Sequence, residues 1–210
     1  MTDRPSPSIS SRKQPRQARS TDLVTAILDA AVQVLAKEGA QRFTTARVAE
    51  KAGVSVGSLY QYFPNKAAIL FRLQSDEWRR TTAMLSRILE DAGRPPLERL
   101  RALVHAFVRS ECEEAEMRVA LNDAAPLYRD APEARAVRVA GGPIIEAFMR
   151  EALPTTPEAT RALAGGLISA ALSQVGKRFS ETPRSRQEIE VYADALADMF
   201  CAYLRELERR

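Results

Sequence analysis

Apolar residues recur every three or four positions along most of the chain after Ser20, and nowhere do they alternate with polar ones in the two-residue period of a strand. Leu23, Ile27, Ala30, Ala31, Val34 and Leu35 form one stripe, and Gly39 stands where a C′ residue would end that helix. The pattern then predicts a short helix from Thr45, as N-cap, through Ala52, with Val48 and Ala49 turned inward. Gly53 stops it, Ser55 caps the next helix, Leu59 and Phe63 supply that helix's buried side, and Pro64 and Asn65 break it. Longer helices are predicted over roughly 65–91, 96–124 with a break near 114, 132–152, 157–179 and 185–208. Pro95, Pro96, Pro126, Pro154, Pro157 and Pro183 sit at or near the joints. The expected fold is all-α.

The stretch "AEKAGVSVGSLYQYF", Ala49 to Phe63, is more aromatic and less charged than a plain connector. Two short helices about a glycine turn, preceded by a supporting helix, describe a helix-turn-helix unit. Ala49 lets the two helices cross closely, Gly53 permits the turn, and Leu59 anchors the second helix. That second helix is expected to present Val56, Gly57, Ser58 and Gln61 outward, a narrow surface with a hydroxyl and methyl groups for base edges in a major groove. Tyr60 and Tyr62 are expected to donate to phosphates, and Lys66 to add charge at the next helix start. Packing of both tyrosines inside a helical hairpin is the competing reading.

Charge sharpens the choice. Residues 1–66 carry ten Lys/Arg against five Asp/Glu, whereas residues 67–210 carry 21 against 22, so the net charge of +4 lives in the first third. Arg12, Lys13, Arg16 and Arg19 place most of it in a basic arm, of the kind a polyanion attracts. The start of the chain has no apolar stretch that would make a secretory signal, and "LAGGLISAALSQVG" is too short and too rich in Ser and Gly to span a bilayer. Cys112 and Cys201 sit far apart in apolar stretches and read as reduced core residues, which fits a reducing cytoplasm. Expected, therefore, are a cytoplasmic location and no membrane partner.

The longer stretch "FTTARVAEKAGVSVGSLYQYFPNKAAIL" resembles the DNA-binding unit of TetR-type transcriptional regulators, the tetracycline-repressor family. Thr44, Thr45, Val48, Ala49, Ala52, Gly53, Val54, Ser55, Gly57, Leu59, Tyr60, Tyr62, Phe63 and Lys66 match that family's pattern. The resemblance covers about 50 residues; beyond them only length and helical content agree. It implies phosphate contacts from Thr45, Tyr60, Tyr62 and Lys66, and base proximity for Arg47, Val56, Gly57 and Ser58. Ala46 stands where some members carry a base-reading arginine. With Ser55, Gln61, Arg16 and Arg19 added, these residues are the candidate DNA contacts. The domain organisation expected is an arm over 1–20, a DNA-binding head over 21–66, and a ligand-binding and dimerisation domain over 67–210.

In that second domain Gly165, Ser169 and Ser173 fall four apart, with Gly166 and Ala170 alongside, which suits a close helix approach across a two-fold axis. The last helix carries an uninterrupted stripe that includes Leu196, Phe200 and Tyr203. Both helices together predict a four-helix homodimer interface. Trp78, His105, Phe107, Met117, Asn122, Tyr128, Phe148 and Gln174 are candidates to line a small-molecule site, although each also suits a core. His105 is the single histidine, so neither a histidine metal site nor a Ser-His-Asp triad is supported, and no cofactor is expected. The leading reading is a non-enzymatic, ligand-responsive repressor on a palindromic duplex operator. The alternative is a helical dimeric binding protein or enzyme whose helix-turn-helix meets another protein.

Overall fold

A computed structural model describes residues 9–10, 18–139 and 141–210, with the side chains of residues 18, 19, 138 and 139 outside that description. Among the described residues there are helices, turns and no strand, so the all-α expectation stands. The helices in chain order are α1 (Ala18–Arg42), α2 (Thr45–Ala52), α3 (Val56–Tyr62), α4 (Lys66–Leu89), α5 (Pro96–Glu113), α6 (Ala115–Ala124), α7 (Pro132–Val139), α8 (Gly142–Ala152), α9 (Glu158–Ser180) and α10 (Arg186–Arg209). A 3-10 turn, Ala125–Leu127, follows α6.

Three boundaries differ from the sequence reading. Thr44, not Thr45, caps α2: its hydroxyl accepts the Arg47 N–H at 3.3 Å, and its backbone is extended while that of Thr45 is already helical. Gly39 does leave helical geometry, at φ 71° and ψ 172°, but a further helical turn closes behind it to Arg42. The single helix expected over 132–152 is two, because α7 ends at Val139 and α8 begins at Gly142. Gly141, Gly142 and Pro143 supply the break: glycine is a poor helix interior, and a proline has no N–H for the carbonyl one turn back.

Two compact units divide the chain. The first takes residues up to Arg79 with Glu116–Arg138, and the second takes Arg80–Ala115 with Val139–Arg210. Ile27, Leu35, Phe43, Val48, Leu59, Phe63, Ile69, Leu70 and Leu121 are fully enclosed in the first core, so α6 packs with the head helices and the start of α4. In the second, α5 packs against α8, α9 and α10, and α8 against α9. Gly165 allows that last contact: a Cβ there would lie 3.1 Å from both Ile145 and Met149.

No helix among the described residues is long and apolar enough to cross a membrane. Burial pushes the thiols of Cys112 and Cys201 above the usual cysteine range, which disfavours the reactive thiolate.

Candidate nucleic-acid interface

The head is built around Gly53. Its φ of 68° and ψ of 28° are left-handed, and its N–H closes back onto Glu50 at 3.1 Å while Val54 N–H reaches Ala49 O at 3.0 Å. A Cβ at Gly53 would meet nothing within 4 Å, so backbone conformation rather than space demands glycine. Gly53→Ala is therefore expected to cost about 1 kcal/mol through backbone strain alone, read as a shift in the urea midpoint.

After the turn Ser55 caps α3, accepting the Ser58 N–H at 3.0 Å, and the two hydroxyls lie 2.8 Å apart. Leu59 and Phe63 point into the core as the sequence predicts. Val56, Gly57, Tyr60 and Gln61 are exposed, and Ser58 is half-buried between them. At Gly57 an added Cβ would touch only Ser55 Oγ at 3.7 Å, so its missing side chain brings the α3 backbone nearer to whatever docks on it.

One aromatic expectation is corrected. Tyr60 is 38% exposed, but Tyr62 is 6% exposed and belongs to the head core, so α3 offers one tyrosine rather than two. The period of the helix explains the split, since Tyr62 follows Leu59 by three residues on the buried face and Tyr60 does not. Tyr60 Oη lies 3.1 Å from Thr45 Oγ1, which sets two hydroxyl groups from α2 and α3 side by side. Lys66, half-buried, opens α4, and Asn65 Oδ1 accepts the Ala68 N–H at 2.9 Å in that first turn.

Arg47 is exposed but engaged: its guanidinium pairs with Glu38 of α1 and donates to Arg42 O at 2.9 Å. Sequence spacing gave no sign of Glu38, because this partner comes from a neighbouring helix. Arg16 and the side chain of Arg19 lie outside the described residues. The arm has one described foothold: Ile9 is buried with the head core, and Ser10 Oγ donates to Glu133 of α7 at 3.1 Å.

The other candidates fall in separate places. Trp78, Met117, Asn122 and Tyr128 belong to the first unit; His105, Phe107, Phe148 and Gln174 belong to the second. Tyr128 is buried, donating to Leu121 O at 3.1 Å and tilted against Phe71, while Asn122 and Gln174 are exposed. Phe148 is buried beneath the Arg99 guanidinium, and Phe107 lies against α9 at Gly176. His105 ties α5 to α10, with Nδ1 3.0 Å from Glu190 and Nε2 3.1 Å from Asp194. Among the described residues no group of three or more His, Cys, Asp or Glu is placed to hold a metal ion.

On the small-residue face of α9 the placement changes at Gly165 alone, which turns inward. Gly165 packs against α8 of its own chain, and Leu196 and Phe200 of α10 are likewise buried in the chain's own core. Tyr203 is half-buried, and Ser169 and Ser173 are exposed. The apolar surface left outside is different: Leu163 at 67% and Leu167 at 55% exposure on α9, Val191 at 64% and Met199 at 54% on α10.

Comparison with known proteins agrees with this geometry. Residues 27–73 match the model for bacterial regulatory proteins of the tetR family, and residues 95–207 match a tetracyclin repressor-like C-terminal domain. The HTH-type transcriptional repressor KstR of Rhodococcus jostii (strain RHA1) is 31% identical over 143 residues, 68% of this chain and 66% of that protein. The nucleoid occlusion factor SlmA of Vibrio campbellii is 37% identical over 92 residues, 43% of this chain and 46% of that one. The chain thus aligns with less than two thirds of the length of either relative. The fatty acid degradation regulator FadR of Bacillus halodurans shares the fold, with a TM-score of 0.65 at 18% identity over 90% of this chain and 97% of its own. With the helix-turn-helix and more than half of its whole length so matched, the chain belongs to the TetR family of bacterial regulatory proteins.

Proposed function

We propose that this protein is a ligand-responsive DNA-binding transcriptional regulator, a homodimeric repressor that leaves a two-fold symmetric operator when a small apolar or aromatic molecule binds. The observation that carries the reading is α3, a short helix capped at both ends that exposes Val56, Gly57, Tyr60 and Gln61. It fits a major groove without a bulky side chain in its first turn. The Thr45–Tyr60 hydroxyl pair and Lys66 at the head of α4 flank it where phosphates would run. The second copy is proposed to dock on the exposed apolar residues of α9 and α10.

Phosphate and base contacts should separate on substitution. Tyr60→Phe and Lys66→Ala are expected to weaken binding to every duplex about equally, because phosphates carry no sequence information. Ser58→Ala and Arg47→Ala are expected to change which base is preferred, by about 1–3 kcal/mol per contact. Arg47 must leave Glu38 to reach a base, so its substitution reports whether that ion pair opens on DNA. Duplexes selected by the purified protein from a randomised pool, then remeasured with each variant, provide the check. A Lys66→Ala protein with altered sequence preference and unchanged overall affinity contradicts the assignment.

Effector action is proposed to pass through α4, which is covalently continuous from Lys66 to Leu89 and contributes residues to both compact units. The effector need only favour a conformation in which the two recognition helices no longer match successive major grooves, about 34 Å apart. By linkage, operator DNA must weaken effector binding by the factor by which effector weakens operator binding.

A further inference from the structure

Beyond the regulatory reading, and independent of it, the second unit carries a cleft of about 320 Å³ where the end of α4 turns into α5. Met84, Ile88 and Ala102 give it apolar walls, and Arg87, Arg94 and Arg99 bring three guanidinium groups to it beside one carboxylate, Asp91. Ordinary surface arginines are hydrated and need no partner, but Arg99 is not one of these. It is only 2% exposed, its Nη1 donates to Leu89 O at 2.6 Å, its Nη2 pairs with Glu151, and its Nε finds no hydrogen-bond partner. That Nε is itself closed off from solvent, so an acceptor in the cleft meets the exposed Arg87 and Arg94 while Arg99 adds charge beneath them.

The neighbouring charges do not balance. Arg94 pairs with Asp91 at 3.3 Å. Arg87 is exposed and donates from Nε to Ala83 O of its own helix at 3.3 Å, with no carboxylate partner among the described residues. Three guanidinium groups therefore line a partly apolar hollow that holds one carboxylate, Asp91, while Glu151, outside the lining, pairs with Arg99.

We propose that this cleft is a binding site for a small amphipathic carboxylate, its charge held by Arg87 and Arg94 over the buried Arg99 and its short chain laid along Met84, Ile88 and Ala102. The volume, about 320 Å³, lies at the small end of ligand sites, which suits a short-chain acid. Guanidinium recognition of a carboxylate is charge-assisted and two-pronged, so a neutral molecule of the same shape is a poor substitute.

The test is calorimetric titration of the full chain with sodium hexanoate, against 1-hexanol and against sodium chloride at matched ionic strength. Hexanoate is expected to bind saturably at one per chain, and 1-hexanol and chloride not at all. Arg87→Gln and Arg94→Gln replace exposed side chains and leave the buried Arg99 in place, so both variants should fold. Each is expected to weaken hexanoate at least about tenfold, the loss of one charge-assisted hydrogen bond. Hexanol binding as well as hexanoate, unchanged affinity in both variants, or no saturable heat with hexanoate would each overturn the proposal. No DNA enters the measurement, so its outcome is separate from that of the operator reading.

Discussion

Replacing Arg118 with methionine is expected to destabilise the protein by about 3–5 kcal/mol, because it removes the cation facing a buried carboxylate. Glu77 on α4 and Arg118 on α6 face each other at 2.6 Å, with side chains only 3% and 14% exposed. Gln74 donates to the second Glu77 oxygen at 3.0 Å, and Tyr128 Oη stands 3.4 Å from Gln74 Oε1, so the pair sits within a buried polar network of the first unit. Such a pair adds little over a well-packed apolar substitute, yet half of one is strongly unfavourable. Glu77→Leu with Arg118→Met should therefore recover most of what Arg118→Met alone loses. Urea unfolding of the two singles and the double closes the cycle. A single-variant loss below about 1 kcal/mol, the range of exposed pairs, would contradict burial of the pair.

The second large effect concerns assembly. If the proposed dimer forms on this face, Leu163→Glu with Leu167→Glu is expected to give a monomer and to remove most of the affinity for the proposed operator. Both leucines lie on the outer face of α9, so the change leaves the chain's own core untouched and far-ultraviolet circular dichroism should not move. A dimer carries four such leucines, and losing even about 1 kcal/mol at each raises the dimer dissociation constant on the order of 10³-fold. A lone head then meets one half-site, and affinity falls toward the non-specific range of about 10⁻⁴–10⁻⁶ M. Light scattering at micromolar concentration gives the mass directly. A double variant that keeps the parent's mass and operator affinity would place the interface elsewhere.

Particular residues mark what the sequence could disclose. Leu59 and Phe63 against Val56 and Gly57, or the stop at Gly53, follow from helical period and backbone sterics, and both are local. One of the two family matches, over residues 27–73, contains that same stretch. Period sets Tyr62 with Leu59 on the buried face; its expected phosphate contact rests on residue type and on the resemblance, since tyrosine suits either side. On α9 it fails altogether: apolar residues surround the helix, so Gly165 and Leu163 look alike until α8 is seen to cover the first and not the second. The same holds on α10, where Leu196 and Phe200 turn inward while Val191 and Met199 do not. Ion pairs between different helices were beyond reach for another reason. Arg47–Glu38, Arg118–Glu77 and Arg99–Glu151 are joined by packing between helices, which no spacing rule encodes. Six of the eight residues expected to line a ligand site are apolar or aromatic, a property of cores as much as of pockets, and the two units divide the eight equally.

The most direct measurement of the central claim is the affinity of the purified protein for a duplex it selects from a randomised pool, followed across salt concentration. A DNA-reading dimer predicts a selected sequence with two-fold symmetry, two chains bound per half-site pair, and log affinity falling linearly with log salt at a slope of about −0.9 per phosphate neutralised. Recovery of no common sequence, with weak binding that is flat from low to high salt, would contradict it.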